Sequence, residues 1–519
     1  MKFYDSGMEL RQKILSGIDT LADNVASTLG PRGRNVILQP DKGTPVITKD
    51  GVTVAKFVDL ADPFEDVGAQ VIKQAAAQTN SMAGDGTTTA TVLARAIYKS
   101  AQKYIQVGLS PVVLKREIDD AVEDVVENLK DLARPIESED DIRHIATISA
   151  NNDEKIGKLV AMAISSAGKD GSITVEEARS IETSLDLVEG FRFEGGYVSS
   201  SFINNERRGA VVYEDPLILV TDEKVENVKE ILPLLEQIAR EARPLVIVGS
   251  DFEGQGLAAL IMNAIRGSMK VAAVKAPRYG EERKNILRDL ALSTGADFVS
   301  RESGVRLKDA RLEHLGTCKK IDILKSQTTI IGGKGDPEGV VSKMDALRLE
   351  LKQTESIYEC ERIQDRISRL NSGVAVIRVG AATEIEMIEK RHRIEDALEA
   401  VKSAQQEGIL AGGGVSLVRA ADKIKSKTEG AAIVKEAILE PVRQMARNAG
   451  VSPDMIVEKI RKSKGSKGWN FAQGKMSDMF EEGVVDPLKV TRCALQNSAS
   501  AASTLLTTNH AIIERASSK

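Results

Sequence analysis

The stretch Ala83-Gly84-Asp85-Gly86-Thr87-Thr88-Thr89-Ala90-Thr91-Val92-Leu93 sets an acid between two glycines, then runs threonines into an apolar helical pattern. Two readings fit it. In the first, the glycines end one helix and the threonines begin the next, a turn with capping. In the second, Gly-Asp-Gly permits positive φ and aims successive N–H groups into one concavity. The unpaired N–H groups and dipole of a helix start attract anions, and a carboxylate on the same turn suits Mg2+ held with phosphates. The segment is not a Walker A loop, because GxxxxGK[ST] is absent. On its own it leaves both readings open.

The rest of the chain supplies the context. With 519 residues it exceeds one core, and about 150 residues per domain suggests roughly three domains. Aromatics make up only 3%, with the single tryptophan Trp469, so the cores must be built from Ala, Val, Ile and Leu. That favours helices and parallel strands. A net charge of -5, with both signs interspersed, argues against a nucleic-acid binder. Cys318, Cys360 and Cys493 are far apart and odd in number, which points to a reducing compartment rather than a disulfide framework. His144, His314, His392 and His510 show no metal spacing. Met1-Lys2-Phe3 leads into polar, helix-forming sequence rather than a leader, and no apolar run approaches the roughly 20 residues of a membrane span. A cytoplasmic protein without membrane partners is expected.

Residues 9–29 carry Leu10, Ile14, Ile18, Leu21, Val25 and Leu29 at helical spacing. Asn35–Leu38 and Pro45–Thr48 read as a hairpin, and Ser110-Pro111 as the start of a long helix with Ser at the cap. From residue 189 the character changes. Leu217–Val220, Leu245–Val248 and Val271–Val274 are continuous apolar runs separated by helical stretches, the alternation of βα units. A charged helical pair covers about 340–371, its charges read as a solvated face, and after Val374–Val379 the chain is helical to the end. The final helix is rich in Ala and Ser. The outline is a discontinuous outer domain with a second domain inserted through a connector, Pro135 and Gly408 bracketing the connector and Gly190 and Gly373 the insert.

Other turn-rich segments could join the opening one: Thr28–Pro31, Thr48–Gly51 and Ala411–Gly414, each commonly a plain turn when taken alone. Leu232 and Leu235 share one helical stretch, and Leu257, Ile261 and Met262 another. They read as core residues or, if exposed together, as an adaptable apolar groove.

Taken together these segments resemble a group I chaperonin, the GroEL type, over nearly the whole chain. The resemblance rests on Ser27–Val36, ITKDGVTVA at 47–55, AGDGTTTATVLA at 83–94, MKVAAVKAP at 269–277, GVAVIRVGAATEIEM at 373–387, EDALEAVKSAQQEGILAGGG at 395–414 and DPLKVTRCALQ at 486–496. It implies a mostly α fold with an α/β insert. A helical equatorial ATPase domain would span 1–132 and 408–519, an intermediate connector 133–188 and 374–407, and an apical client-binding domain 189–373. Thr28, Leu29, Gly30, Pro31 and Lys49 would border ATP phosphates and an associated cation, K+ beside Mg2+. Asp85 would hold Mg2+; Gly86, Thr87, Thr88 and Thr89 would cradle phosphate; Gly413 and Asp486 would contact the nucleoside; Asn470 and Ala472 would lie near the base. Asp396, assisted by Asp50, would position the attacking water.

The resemblance also implies a client groove of Tyr197, Phe202, Leu232, Leu235, Leu257, Ile261 and Met262, which takes non-native proteins and is shared with a GroES-type co-chaperonin. The assembly would be a homo-oligomeric, seven-fold ring. Departures mark a divergent member, a virus among its candidate sources. Ser201 stands for an apical aromatic, Gly195 for a basic residue between neighbouring apical domains, and Ser452 for an acid at the ring-to-ring contact that retains Arg443. A single or weakly paired ring is one expectation. A holdase or scaffold shell is the alternative function, but the retained Asp50, Asp85, Asp396 and Asp486 argue against it. A metabolic kinase has no acceptor pocket in its favour.

Overall fold

The computed structural model describes residues 2–41, 45–167, 172–178, 180–206, 208–354, 356–370 and 373–514. The chain forms two compact units, Met1–Met162 with Ala381–Lys519, and Ala163–Gly380, so the second is inserted into the first. This division does not set the connector apart. Its 133–162 and 381–407 parts fold with the first unit, and 163–188 and 374–380 with the second.

The first unit is helical because its apolar residues recur every three or four positions. The helix Gly7–Ala26 buries Leu10, Ile14, Ile18, Leu21 and Val25. Leu29, expected on the same stripe, lies beyond its end, where Gly30 (φ 81°) turns the chain. Asp62 caps Pro63–Ala83 by accepting from Phe64 N (2.8 Å) and Glu65 N (3.2 Å). Ser110 does occupy the cap position of Pro111–Leu132, but its hydroxyl makes no capping bond. Leu488–Thr507 packs on Pro63–Ala83, Thr87–Gln106 and Pro111–Leu132. Its buried Ala494, Ser498, Ala499, Ala502 and Ser503 permit that close approach. Ser498 Oγ bonds both to Ala494 O of its own helix and, at 2.7 Å, to Ala90 O of the neighbouring one.

Among the described residues this unit also carries four two-stranded pairs, two of which bear on the sequence reading. Val36–Leu38 and Val46–Thr48 form the expected antiparallel hairpin. Lys2–Ser6 pairs antiparallel with His510–Glu514, correcting the expectation of helix at both chain ends. Both segments alternate exposed and half-buried residues, the period of a strand. Neither could pair until the other end of the chain arrived.

In the inserted unit, Leu217–Thr221, Leu245–Gly249 and Val271–Lys275 are parallel neighbours, with Val228–Glu241 and Gly254–Ile265 as crossover helices. The first two strands are buried throughout, which explains why they read as unbroken apolar runs. The sheet continues through Gly316–Ile323, Thr328–Gly333, Ser184–Phe193, Gly373–Val379 and Ser172–Glu177. Of the charged pair Pro337–Gln353 and Ile357–Leu370, Met344, Leu347, Ile363 and Leu370 reach the core. Arg366 makes a two-pronged bond to the buried Asp289 (2.8 and 2.7 Å), so that face is not wholly solvated.

The expected bracket residues meet in pairs. Gly190 lies inside Ser184–Phe193, where a Cβ would stand 2.1 Å from Val374 Cγ2, and its neighbour Glu189 pairs with Gly373. Beside Pro135, Arg134 and Ile409 exchange backbone bonds of 2.9 and 2.8 Å. Gly408 (φ 87°) turns there, and a Cβ would meet Arg134 O at 2.6 Å.

Candidate functional site

Gly84 (φ 75°) ends the helix Pro63–Ala83, and Gly86 (φ 93°) precedes Thr87–Gln106. Both torsions favour glycine. No side chain caps the second helix. Thr87 Oγ1 is buried without a hydrogen-bond partner. The threonines therefore do not do the capping that the plainer reading assigned them, and the helix start keeps its donors for something else. Asp85 stands between the glycines. Its Oδ1 accepts from Gly86 N at 2.5 Å and its Oδ2 from Ser149 Oγ at 3.2 Å.

This turn is one wall of a cavity of about 400 Å³ within the first unit. Thr28, Leu29, Gly30, Pro31, Lys49, Asp50, Asp85, Gly86, Thr88, Thr89, Asp396, Gly413, Asn470, Ala472 and Asp486 all line it. Thr87 is outside the lining. Segments scattered from residue 28 to 491 thus converge on one concavity, which no single turn could indicate.

The cavity's charges are mutually strained. Asp486 is pushed up to about 6 by burial and by the charge of Asp85. Burial raises Asp85 too, and the nearby Asp50 adds to the effect. Both Asp486 and Asp85 are half-buried, with protein around them on the cavity floor. Burial lowers the proton affinity of Lys49, as does Arg393; Lys49 Nζ donates to Gly30 O at 3.0 Å. Asp50 is already occupied as a helix cap, accepting from Val52 N (3.0 Å), Thr53 N (3.1 Å) and Thr53 Oγ1 (2.6 Å). A hard cation fits this oxygen-rich floor. No group of three or more His, Cys, Asp or Glu forms a metal cluster among the described residues. Asp85 offers one carboxylate on this floor, and Mg2+ takes one or two carboxylates and completes its shell with phosphates and water.

Asn470 shapes the opposite loop. Its Oδ1 accepts from Ala472 N (3.0 Å) and Gln473 N (3.2 Å), so it braces its own turn. Arg32 clasps that turn from outside, donating to Ala472 O at 3.1 Å and Phe471 O at 3.4 Å. Sequence reasoning missed Arg32, Ser149, Asn151, Asn152, His392 and Arg393. Asn151 (φ 58°) and Asn152 (φ 64°) are consecutive left-handed residues, and an Asn-Asn pair after a helical run is a usable signal for that. The spacing of Ile385, Ile388, Glu389, His392, Arg393 and Asp396 along Glu384–Glu407 could have shown one cavity-facing stripe.

The model of the TCP-1/cpn60 chaperonin family matches residues 21–516. The chain belongs to that chaperonin family. The chaperonin gp146 from the bacteriophage EL 2 (Pseudomonas aeruginosa), solved in the presence of ATP-BeFx, is similar in structure. The match has a TM-score of 0.65 at 22% identity and covers 99% of each chain, so it speaks for the fold. The expected chaperonin fold, mostly α with an α/β part, is thereby met.

In this chaperonin the residues expected to bind clients divide by exposure. Leu232 (44%) and Met262 (45%) are open to solvent. Tyr197, Leu257 and Ile261 are partly buried, while Phe202 (2%) and Leu235 (6%) belong to the core. Gly195 has a local reason: a Cβ would stand 2.6 Å from Lys275 O, so no larger residue fits this backbone. Arg443 is engaged within the chain by Glu436 (2.6 Å), Glu440 (3.2 Å) and Asp454 (3.0 Å). No helix among the described residues is long and apolar enough to cross a membrane.

Proposed function

We propose that this chaperonin hydrolyses ATP in the cavity and couples turnover to the folding of non-native proteins. The observation that carries the reading is the convergence of Asp85, the uncapped start of Thr87–Gln106, Lys49 and Asp396 on one concavity. Bound at Asp85, Mg2+ would neutralise phosphate charge. The backbone from Thr28 to Pro31 and the hydroxyls of Thr88 and Thr89 hold the phosphates, with K+ as a further cation. Gly413, Asp486, Asn470 and Ala472 hold the nucleoside. Asp396, with Asp50 assisting, orients a water in line with the terminal phosphorus. The water oxygen bonds to phosphorus, the bond to the ADP oxygen breaks, and the water's proton passes to the carboxylate or solvent. Placement and charge do most of this work.

ATP can favour one domain arrangement only through contacts that differ between arrangements. Asp396, in the proposed connector of 133–188 and 374–407, supplies such a contact, with Pro135, Gly190, Gly373 and Gly408 as hinges. Rotation would then bury the groove around Leu232 and Met262 and release a client into a chamber. A seven-fold homo-oligomeric ring presents many such grooves, so binding is multivalent. A GroES-type co-chaperonin competes for the groove. The cytoplasm is the proposed setting.

Refolding of an aggregation-prone client tests the coupling. Yield should rise with ATP and co-chaperonin in the wild type. Client capture without any gain in yield on adding either would instead identify a holdase or scaffold shell.

A further inference from the structure

The helix Glu384–Glu407 turns Ile385, Ile388, Glu389, His392, Arg393 and Asp396 toward the cavity. The mechanism above uses only Asp396. His392 lies one turn before it on the same face, which sets their Cβ atoms about 6 Å apart. Among the described residues it is the one histidine lining the cavity.

His392 lines the same cavity as Lys49, Asp50 and Asp396. Its neighbour Arg393 is close enough to Lys49 to lower that lysine's proton affinity, and Asp50 follows Lys49 on the same wall. Both of these cations already have protein acceptors. Arg393 pairs with Glu389 at 3.2 Å and Asp153 at 3.6 Å, and Lys49 donates to Gly30 O. The His392 ring has no hydrogen-bond or ion-pair partner among the described residues. The acids Glu389 and Asp396 of its own helix, and Asp50, Asp85 and Asp486 of other segments, line the same cavity. It is thus an uncommitted N–H donor beside the residue assigned to the attacking water.

We propose that His392 is a ligand of the terminal phosphate and sets the preference of this site for nucleoside triphosphates over diphosphates. The inference rests on the reading of the cavity as an ATP site. A ring N–H donates to a terminal phosphate oxygen. A diphosphate has no group at that position, and its affinity does not depend on His392.

The test compares binding of a non-hydrolysable ATP analogue and of ADP, both with Mg2+, to wild type, His392→Ala and His392→Gln. The Ala variant should lose about tenfold in the triphosphate-to-diphosphate affinity ratio, with ADP affinity held within about twofold. The Gln variant, which keeps an N–H donor, should recover part of the ratio. A ratio unmoved in the Ala variant overturns the inference. If wild type binds neither nucleotide, the ATP-site reading falls and takes this inference with it. If both bind and the ratio does not move, only the role of His392 falls.

Discussion

Asp486 and Asp85, from opposite ends of the chain, face one another on the floor of a single cavity, and the charge of Asp85 helps push Asp486 up to about 6. A carboxylate raised in this way keeps its proton longer in the folded protein than in the unfolded chain. Stability therefore falls as pH rises from about 4 to about 6, and the full penalty applies above that window. Asp486→Asn removes it. Without nucleotide, the variant should be more stable than wild type by about 1–2 kcal/mol at neutral pH, after allowing for partial exposure, and equally stable near pH 4. Thermal midpoints across that range check the sign, and a variant less stable than wild type at neutral pH would refute it.

Ser149 Oγ donates to Asp85 at 3.2 Å and so aims the proposed Mg2+ ligand. Ser149→Ala should raise the Mg2+ concentration for half-maximal ATP hydrolysis by about tenfold, the usual scale for losing a group that orients a metal ligand. Saturating Mg2+ should restore most of the rate. A Mg2+ dependence identical to wild type would detach Ser149 from the site.

Gly51 begins a helix with ordinary torsions, yet a Cβ there would stand 2.1 Å from Thr88 Oγ1. In Gly51→Ala the threonine hydroxyl must rotate out of the way. The expected result is weaker ATP binding, by about tenfold, with a thermal midpoint changed by only a few degrees. Calorimetric titration and melting separate the two effects. Unaltered affinity would place Thr88 away from phosphate.

On the inserted unit, Leu232 and Met262 are exposed and Leu235 is core. Leu232→Glu and Met262→Glu should abolish capture of an unfolded client while leaving the melting temperature nearly unchanged. Leu235→Glu buries a charge and should destabilise the unit by about 3 kcal/mol or more. Client capture by the exposed-site variants at the wild-type level would remove those residues from the groove.

How much of this was legible depends on range. The helical stripe of Leu10, Ile14, Ile18, Leu21 and Val25, and the apolar runs at Leu217, Leu245 and Val271, declare themselves because each pattern fits within one element. Lys2–Ser6 did not, because five short residues become a strand only against His510–Glu514. The turns at Thr28, Lys49 and Gly413 each read as punctuation, and their convergence is a property of the fold. The resemblance to known sequences named their cavity residues, but not Arg32 or Ser149, whose bonds to Ala472 and Asp85 are local to this structure.

The central claim is that the cavity hydrolyses ATP through Asp396. Steady-state hydrolysis and ATP binding, measured together on wild type and Asp396→Ala, test it most directly. The account predicts Mg2+-dependent turnover by wild type, and binding retained with turnover reduced about a hundredfold or more in the variant. Equal turnover in the two proteins would contradict it.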